Sequence, residues 1–560
     1  EVIDRTYIIN ESNYNLPVFS IITNDDNLWD WNTGIYVFGP NADLNNYPHF
    51  GSNFWEPWSK WSRMEFFDSN KNKQFETQFD LEIHGGWSRA EPQKSFRIDN
   101  KSIYKGPVEY PLIPDKSDIT SYNNFNLRNG GQHGWNDRIQ DGIISKLVKE
   151  TNIDRMGYEP AIVYLNGDYW GLYGIREKID EHYIEDNYGF SSDSVDLLNS
   201  FGVLIGSDIN AINTYYSIIN EDPESIGFYE LFSSHWNIEN YIDYFIIQTF
   251  IQNMDWLGIA WGANNIKLWR PQTEDGKWNY VLYDTDAALG YFGQSIWDNY
   301  INAARFPAVS SEHSQIFSRA LINQEFKCQF TNRYNDLINT IFQPNHFNEI
   351  ANNLKDRLSN AIPTHISAWA PNGSGLNSYS QWSNAISNIC SYNNSRISTA
   401  RTHLNQSLNL NGLTIASPDM GGSKRAYAYS KFLDADVVIC YKQRSKGNVI
   451  THMELIGDVT GKNVILIDDM VDTAGTLTKA ADLMIKKGAE SVIAICTHAL
   501  LSGDAYEKIE KSKLKKLITS DSIDIKKKSK KVEHLTCSKI FAEAMFNVHN
   551  NKSIDKLFIN

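Results

Sequence analysis

The last quarter of the chain alternates short apolar runs with stretches whose apolar residues recur at helical spacing. The apolar runs are DADVVIC, NVILID, SVIAICTH and KLITSDS, and helical stretches such as LTKAADLMIKKGA separate them. Strands that alternate with helices in this way indicate βαβ units around a parallel sheet. We therefore predict an α/β domain with a parallel sheet over residues 413–560.

The longer first part of the chain has a different pattern. Strand-like alternation dominates KQFETQFDLEIHGGWSRAEPQKSFRID, whereas NQEFKCQFTNRYNDLINTIF and FNEIANNLKDRLSNAI carry apolar residues at i, i+3 and i+4. Strands followed by packing helices predict an α+β domain. Trp, Tyr and Asn are abundant as far as Gly412, and Trp is absent beyond it. We place the boundary there, which makes the chain multidomain, with domains 1–412 and 413–560.

Composition narrows the possible functions. The 560 residues are 41% hydrophobic, which suits folded domains, and the net charge of -15 with a pI near 5.4 disfavours nonspecific binding to nucleic acid or membrane surfaces. No apolar run is long enough to span a bilayer. The five cysteines form no CxxC pair and no metal-binding spacing. Because the chain starts at Glu1 without Met, we interpret it as a fragment or processed product with a truncated first domain.

The segment VILIDDMVDTAGT predicts a binding loop for a phosphorylated sugar. An apolar strand ends in Asp468 and Asp469, then Asp472 leads into the turn Thr473–Thr476, and a helical pattern follows. Backbone N–H groups and the dipole at a helix N-terminus form a phosphate site. The paired carboxylates suit ribose hydroxyls or Mg²⁺.

Two further motifs in this domain suit phosphate chemistry. Asp419 follows the apolar run LTIA and precedes Gly421-Gly422, so it can ligate a cation while the glycines let backbone approach an anion. Lys442 and Arg444 lie two apart in an extended segment and therefore point the same way. Such a pair suits the stabilisation of a phosphate whose charge grows in a transition state.

Together these motifs closely resemble the C-terminal half of ribose-phosphate diphosphokinase (phosphoribosyl diphosphate synthetase). The resemblance implies a reaction of ATP with ribose 5-phosphate that gives AMP and phosphoribosyl diphosphate. It implies that Asp419 is a Mg²⁺ ligand, that Lys442 and Arg444 are catalytic, and that the remaining residues bind ribose 5-phosphate: Asp468, Asp469, Asp472, Thr473, Ala474, Gly475 and Thr476. Ala474 replaces a usual Gly, and nothing upstream resembles that family's N-terminal half, so we expect the site to be incomplete on its own. The family oligomerises, but the sequence does not give the oligomeric state here.

The first domain contains residues in an order typical of phosphoryl transfer. A strand carries Lys94, a later helix start carries Glu177, Asp255 follows a helix, and Asn264-Asn265 comes about ten residues later. The strand KWNYVLYDTDAALG then ends in Asp284 and Asp286. In kinases a strand Lys pairs with a helix Glu, an Asp positions the accepting hydroxyl, and an Asn and a following Asp hold Mg²⁺.

Residues 14–411 as a whole resemble the CotH kinase family, which is known from spore coats and has a divergent protein-kinase-like fold. The resemblance implies that Lys94 is the lysine that binds the nucleotide phosphates, with Glu177 as its ion-pair partner in nucleotide binding, and that Asp255 is catalytic. It assigns Asn265 and Asp284 as metal ligands, with Asp286 as a second candidate. It leaves open whether Arg89 and Arg128 touch phosphate or brace the site. The expected partners are ATP, Mg²⁺ and an acceptor protein.

The two resemblances leave alternatives for the whole chain. One is a kinase-like enzyme with an appended phosphoribosyl domain. Another is a gene fusion or junction artefact, and a third is a pair of modules that bind ligand without turnover. The first half resembles exported bacterial proteins and the second a cytoplasmic enzyme, which favours the fusion and leaves the localisation open.

Overall fold

The computed structural model describes residues 6, 14–225, 227–373, 375–408, 412–433, 435–444, 450–524 and 527–554, without the side chains of 442–444 and 450–452. The backbone forms two compact units, Glu1–His403 and Leu404–Asn560, here called the first and second unit. Each unit is described by itself.

The strands of the first unit form a closed barrel, a five-stranded sheet and a two-stranded ribbon. They are β1 (Val18–Ile22), β2 (Ser59–Phe67), β3 (Lys73–His84), β4 (Ser95–Asp99), β5 (Val108–Glu109), β6 (Ser121–Tyr122), β7 (Asn124–Arg128), β8 (Asp154–Arg155), β9 (Glu159–Leu165), β10 (Asp168–Arg176), β11 (Val195–Asn199), β12 (Gly202–Ile205), β13 (Lys267–Pro271) and β14 (Asn279–Leu282).

The barrel has the strand order β1-β2-β3-β4-β7-β10-β9. Its neighbouring strands are antiparallel except β1 and β9, which are parallel and close the barrel. Alternate side chains fill the interior, and the Phe19 ring lies 4.7 Å from that of Phe66 and 5.7 Å from that of Phe125. Large aromatic side chains thus take up the space inside the barrel, and polar residues are left for its rim.

The five-stranded sheet has the order β12-β11-β13-β14-β8. Helices pack around it and the barrel: α1 (Asp25–Trp29), α2 (Gln140–Leu147), α3 (Glu181–Tyr188), α4 (Ile209–Asn220), α5 (Phe228–His235), α6 (Ile238–Ile251), α7 (Tyr300–Arg305), α8 (Glu312–Ala320), α9 (Gln324–Asn339), α10 (Pro344–Leu358), α11 (Ile362–Trp369) and α12 (Tyr379–Ser407).

Helix α6 is the central helix of the first unit. Its sequence IENYIDYFIIQTFI is apolar on nearly every side, and every residue from Asn240 onward is buried. The helix ends at Gln252, whose φ of 55° turns the chain sharply toward Asp255. A rigid, fully packed helix therefore fixes the position of the segment that carries the predicted catalytic acid.

The second unit is a seven-stranded sheet with flanking helices. Its elements are β15 (Leu413–Ser417), α13 (Ser423–Leu433), β16 (Asp436–Arg444), β17 (Ile450–Ile456), β18 (Asn463–Val471), α14 (Gly475–Lys486), β19 (Ser491–Ala499), α15 (Ala505–Lys511), β20 (Lys516–Ser520), β21 (Val532–Leu535) and α16 (Ser538–His549). The strand order is β17-β16-β15-β18-β19-β20-β21.

All strand pairs in this sheet are parallel except β16 with the edge strand β17. The parallel sheet predicted from the apolar runs is present, and the antiparallel edge strand was not predicted. The chain leaves β15 toward β16 on one side and later returns to β18 on the other. Such a change of direction opens a crevice at the carboxyl ends of the strands, where ligands bind in this class of sheet. Among the described residues no helix is long and apolar enough to cross a membrane.

Candidate functional site

A cleft of about 730 Å³ opens in the first unit, a size that accommodates a nucleotide. Residues of the barrel strands β3, β4, β7 and β10 line it, and residues of β11, β12 and β13 line it from the five-stranded sheet. Apolar side chains such as Met156, Leu197 and Ile205 form part of its wall. Carboxylates and cations form the remainder, so the cleft offers an apolar surface and a charged one to the same ligand.

Asp255 lines this cleft, and two neighbouring amides hold its carboxylate. Asn264 Nδ2 donates to Asp255 Oδ1 at 2.8 Å, and Asn265 Nδ2 donates to Oδ2 at 3.1 Å and to the Asp255 carbonyl at 2.9 Å. Asn265 has a φ of 55°, a left-handed conformation that Asn tolerates better than most residues. Since its NH₂ group faces Asp255, its amide oxygen is the atom suited to a cation.

Asp284 and Asp286 follow β14 and meet Arg128 at the end of β7. Arg128 Nη2 donates to Asp286 Oδ2 at 2.6 Å and to Asp284 Oδ1 at 3.1 Å. Burial opposes the charge of Arg128, but the two carboxylates outweigh it and raise the pKa of the guanidinium. Burial, together with the neighbouring Asp286, Asp141 and Asp255, raises the pKa of Asp284 to about 6 although Arg128 lowers it. Carboxylates that lie this close together favour the binding of a further cation.

A tight turn after β7 fixes the position of Asp286. The His133 ring lies between two acceptors: Nδ1 donates to the Asp137 carboxylate and Nε2 donates to the Asp286 carbonyl at 2.8 Å. Burial opposes protonation, but Asp137 outweighs it and raises the pKa of His133 to about 9. Gly131 has a φ of 57°, and a Cβ there would lie 2.2 Å from Asp286 Oδ2. Glycine is therefore required at this position by both conformation and space.

Helix α2 contributes an acid that was not predicted as a site residue. Asp141 forms an ion pair with Arg176 at the end of β10, and Thr285 Oγ1 donates to its Oδ1 at 2.9 Å. Burial raises the pKa of Asp141, but Arg176 and Arg128 outweigh it and lower the pKa. Its only sequence signal is an acid within the helical pattern RIQDGIISKLVKE. That pattern alone does not single it out, because its partners lie 35 and 144 residues away.

The predicted ion pair between Lys94 and Glu177 is wrong. Lys94, just before β4, donates from Nζ to the carbonyls of Arg89 at 2.7 Å and Glu91 at 3.1 Å. Its ammonium also lies 3.8 Å from the centroid of the Phe54 ring. The strand alternation explains this, since Lys94 shares its direction with the buried Phe96 and Ile98. Lys94 therefore lies on the buried side and stabilises the chain segment between β3 and β4 through these hydrogen bonds.

Glu177 lines the cleft but pairs with a different lysine. Its Oε2 accepts from Lys116 Nζ at 2.6 Å and from the Gly157 N–H at 2.7 Å, and its Oε1 accepts from Asn187 Nδ2 at 2.8 Å. The residue is 4% exposed. Glu177 thus joins the strand end to α3, and its carboxylate is held by three donors.

Burial lowers the pKa of Lys94 to about 7, which gives a testable dependence of stability on pH. An unfolded Lys has a pKa near 10.4, so between about pH 7 and 10 the unfolded chain binds more protons than the folded chain and stability rises with pH. Below about pH 7 both states are protonated and the dependence vanishes.

We expect Lys94→Met to remove this rise in stability with pH, whereas substitution of the exposed Lys149→Met retains it. All tryptophans precede Gly412, so urea unfolding followed by Trp fluorescence reports on the first unit alone. Parallel pH profiles for wild type and Lys94→Met would contradict the assignment.

Other cations line the cleft. Arg97 Nη2 lies 3.3 Å from His84 Nδ1, and Arg97 Nη1 donates to Glu82 at 3.2 Å. Burial lowers the pKa of Lys267 to about 8, and its Nζ donates to the Ile179 carbonyl at 3.2 Å. Arg89, by contrast, braces the loop by donating to the Gly85 carbonyl at 2.7 Å. Of the two arginines considered from sequence, Arg128 lines the cleft and Arg89 does not appear among its lining residues.

The residues at the end of β14 fit a magnesium ion. Asp286 Oδ1 is buried and accepts no hydrogen bond, while its Oδ2 also accepts from the Gln132 N–H at 3.1 Å. Asp284 and Asn265 supply further oxygen atoms, the donors that Mg²⁺ prefers. Within the described residues no group of three or more His, Cys, Asp or Glu side chains is arranged to hold a metal ion. Mg²⁺ needs no such group, because one or two carboxylates with substrate phosphates and water suffice.

In the second unit the paired acids Asp468 and Asp469 meet one arginine; they lie within β18, which continues to Val471 beyond the strand end predicted from the sequence. Arg425 Nη2 lies 2.8 Å from Asp469 Oδ2, and Arg425 Nη1 lies 3.5 Å from Asp468 Oδ1. Burial and the neighbouring Asp469 raise the pKa of Asp468 to about 6. Asp419 follows β15, and its Oδ1 accepts from the Gly421 N–H at 2.9 Å. These acids lie toward the carboxyl ends of the adjacent parallel strands β15 and β18, at the edge where ligands bind in such sheets.

The turn after β18 leads directly into α14. Asp472 and Thr473 are exposed, Ala474 precedes the helix with a φ of 55°, and Gly475 and Thr476 form its first turn. The left-handed conformation costs Ala about 1–2 kcal/mol. Its Cβ, however, is buried in the core of the unit, and burying a methyl group contributes about 0.8 kcal/mol. Packing of the Ala474 side chain thus offsets part of the cost of its left-handed conformation.

The predicted catalytic pair is only partly described. The backbone of Lys442 and Arg444 belongs to β16, and their side chains lie outside the described residues. Their role stays a prediction.

Comparison with known proteins matches the two parts of the chain to two different families. The model of the CotH kinase protein family matches residues 81–399, and that of the phosphoribosyl synthetase-associated domain matches residues 427–559. Both resemblances recognised in the sequence are thereby confirmed. The CotH match lies within the first unit and the other match lies within the second.

The relatives of the second part are ribose-phosphate pyrophosphokinases, another name for the diphosphokinase. The enzyme of Wolinella succinogenes is 50% identical over 145 residues, 26% of this chain and 47% of its own length. That of Porphyromonas gingivalis is 47% identical over 156 residues, 28% and 50% of the two chains. The phosphoribosylpyrophosphate synthetase structure from Mycobacterium smegmatis is 27% identical, covering 27% of this chain and 49% of that one, with a TM-score of 0.24. The chain thus spans about half the length of the curated relatives it matches.

Proposed function

Because the chain belongs to the CotH kinase protein family, we propose that the cleft of its first unit binds ATP and transfers the γ-phosphoryl group to a hydroxyl of an acceptor protein. One observation carries the proposal. Asp255, Asn265, Asp284 and Asp286 line a single cleft together with Arg128, which lies 158 residues before Asp286. This is the set of groups that phosphoryl transfer requires, namely an acid for the hydroxyl, oxygen ligands for a metal, and a cation.

The proposed roles follow the order of a kinase, but two of them fall on residues other than those predicted from the sequence. Arg128, on a barrel strand, takes the place predicted for Lys94. Asp141, on α2, takes the place predicted for Glu177, and it holds Arg176 and Thr285 beside Arg128. An arginine presents a planar, permanently charged fork, which suits phosphate oxygens. The apolar wall of Met156, Leu197 and Ile205 would then receive the base.

A Mg²⁺ ion would be held by Asp284 and Asp286, with Asn265 as a further ligand. When bound, it neutralises the charge that develops on the phosphate oxygens. Asp255 accepts the proton of the acceptor hydroxyl while that oxygen bonds to the γ-phosphorus, the bond to the bridging oxygen breaks, and ADP leaves. Asn264 and Asn265 hold the Asp255 carboxylate in place for this step.

The kinase proposal is tested with radiolabelled ATP and a Ser/Thr-rich acceptor protein. We expect label in the acceptor with wild-type protein and about 100-fold less with Asp255→Asn, because a positioned acid or base contributes at least that much. Mg²⁺-dependent ATP binding, measured by calorimetry, should survive the substitution. Equal labelling by both proteins would exclude Asp255 as the catalytic base. ATP binding without label in wild type would favour a binding module without turnover.

For the second unit we infer binding of ribose 5-phosphate without diphosphate transfer by this unit alone. Ribose 5-phosphate would place its phosphate at the N-terminus of α14, over residues 472–476, and its hydroxyls on Asp468 and Asp469. The four first backbone N–H groups of a helix are suited to such a phosphate. Diphosphate transfer needs ATP in the same site, and this segment matches only half of the enzymes that perform the reaction.

Titration of ribose 5-phosphate into the full chain at pH 7.5 tests this second assignment. We expect Asp469→Asn to weaken binding about tenfold, since a hydrogen bond to a charged group contributes about 1.5–3 kcal/mol. Affinity should also fall as the pH is lowered through about 6, because Asp468 becomes protonated there and loses acceptor capacity. The exposed Glu507→Gln serves as the matched control, and ribose without phosphate should give no heat. Equal heats of binding for ribose and ribose 5-phosphate would exclude a phosphate site at residues 472–476.

A further inference from the structure

A second pocket, of about 420 Å³, lies beside the cleft of the first unit, and three exposed aromatic side chains line it. Tyr47, Trp87 and Trp135 are 51%, 57% and 44% exposed. The Trp87 ring lies 5.8 Å from the Tyr47 ring. The three residues come from distant parts of the chain, so the pocket exists only in the folded unit. Aromatic side chains that are grouped and exposed in this way mark a binding site.

The pocket is formed before any ligand binds. Tyr47 Oη donates to Glu91 Oε1 at 3.0 Å, and Gln381 Nε2 on α12 donates to the Trp135 carbonyl at 3.2 Å. Gly375 has a φ of 79°, and a Cβ there would lie 2.8 Å from Trp135 Cβ. Side chains that are already held in place lose little conformational entropy on binding, which favours affinity.

The polar groups of the pocket define what a ligand must offer. Among the described residues, the indole N–H groups of Trp87 and Trp135 have no hydrogen-bond partner. Glu91 keeps acceptor capacity beyond its bond from Tyr47. Within the described residues no lysine or arginine lines the pocket, which disfavours an anionic ligand. The ligand must therefore provide acceptors for the indoles, a donor for the carboxylate, and apolar surface for the rings.

A neutral sugar meets all three requirements. Each sugar hydroxyl both donates and accepts, and the C–H groups of a pyranose ring can pack on the negative face of an aromatic ring. Prolines of a proline-rich segment have no N–H for Glu91. A lysine or arginine side chain has no acceptor for the two indoles.

The aromatic side chains continue beyond this pocket. Gln132 and Trp135 also line a neighbouring cavity of about 500 Å³, together with Tyr291 and Phe292. The Tyr291 ring lies 6.0 Å from the Trp135 ring and 4.8 Å from the Phe292 ring. A surface of this extent accommodates several linked sugar rings.

We propose that these two pockets bind a segment of a neutral polysaccharide, with its pyranose rings on Trp87 and Trp135. The inference does not depend on phosphoryl transfer in the cleft or on ribose 5-phosphate binding by the second unit. It would place a glycan chain beside the cleft entrance, since Trp87 and Gln132 line both the cleft and the second pocket.

Calorimetric titration of the full chain with cellohexaose, xylohexaose and mannohexaose tests the proposal. We expect at least one of them to bind, and to bind more tightly than its monosaccharide. Trp87→Ala and Trp135→Ala should each raise the Kd at least about tenfold, since aromatic anchors carry much of the binding energy at such a site. Trp87→Phe keeps a ring and should raise the Kd less. Trp297→Ala is the matched control, because Trp297 is 72% exposed and lies outside both pockets.

Circular dichroism should show equal folding of all variants, because the substituted side chains are exposed. Absence of binding by all three hexasaccharides would show that the proposal is wrong. Binding that is unchanged in both Trp87→Ala and Trp135→Ala would place the sugar elsewhere, and a monosaccharide that binds as tightly as the hexasaccharide would exclude an extended site. A proline-rich or lysine-rich peptide that binds in place of the sugars, and is lost in Trp87→Ala, would assign the pocket to a protein partner. Each of these results overturns the proposal.

Discussion

Substituting Asp284→Asn is expected to lower phosphoryl transfer at least about 1,000-fold, because the proposed site would lose a metal ligand and with it the alignment of the phosphates. Mg²⁺ should no longer strengthen ATP binding. The melting temperature of the first unit should nevertheless rise. Burial and nearby carboxylates raise the pKa of Asp284, so at neutral pH its ionised form disfavours the folded state.

A fall in phosphoryl transfer together with a rise in melting temperature distinguishes this outcome from misfolding, which would lower both. Label transfer and calorimetric binding give the activity, and thermal unfolding followed by Trp fluorescence gives the stability of the first unit. The exposed Asp275→Asn, in the connection between β13 and β14, is the matched control and should change neither. A variant Asp284→Asn that transfers label at the wild-type rate, or that melts earlier, would remove Asp284 from the proposed site.

Arg128→Gln is expected to destabilise the first unit by about 3–5 kcal/mol at pH 7, because removing one partner leaves buried carboxylates uncompensated. Asp286 is the main cause, since its side chain is 7% exposed and accepts the 2.6 Å bond from Arg128. The loss should shrink as the pH falls from 7 to about 6 and change little below that. Arg128 lowers the pKa of Asp284, so without it Asp284 takes up a proton at higher pH and the repulsion disappears.

Urea unfolding at pH 7 and pH 5, again followed by Trp fluorescence, measures this loss. Arg128→Lys keeps the charge and one donor, and we expect it to recover about half of the stability. An equal loss at both pH values would show that Arg128 acts through packing and not through charge. Retention of ATP binding in Arg128→Gln would argue against its contact with phosphate.

Much of the candidate site could be predicted because its residues lie at the ends of elements. Asp255 follows a long apolar helix, and Asp284 and Asp286 follow an aromatic strand, so local pattern alone singles them out. The paired acids of the second unit were predictable for the same reason, since VILI marks a buried strand and the turn after it marks the edge of the sheet. The structure places Asp255, Asp284 and Asp286 where the pattern predicts, whereas β18 continues two residues beyond the paired acids, and the chemical roles of all these residues stay predictions.

Pairing across the sequence could not be predicted in the same way. Lys94 was assigned to Glu177 from order alone, yet the two ions have different partners because strand alternation turns Lys94 toward the buried side. Counting residues in KSFRID would have favoured Arg97, which has the opposite direction and lines the cleft. Asp141 was missed because nothing local distinguishes an acid in the first turn of a helix from a surface charge. Its importance arises only when the barrel closes.

The turn around His133 has a consequence for ligand response. One ring bonds both the Asp137 carboxylate, which caps the start of α2, and the carbonyl of Asp286. A ligand that draws Asp286 toward itself therefore changes the free energy of the α2 start, and any partner that displaces α2 changes the affinity at Asp286. Thermodynamic reciprocity requires the two effects to be equal. Ligand binding in the cleft and the position of α2 are thus coupled through the His133 imidazolium.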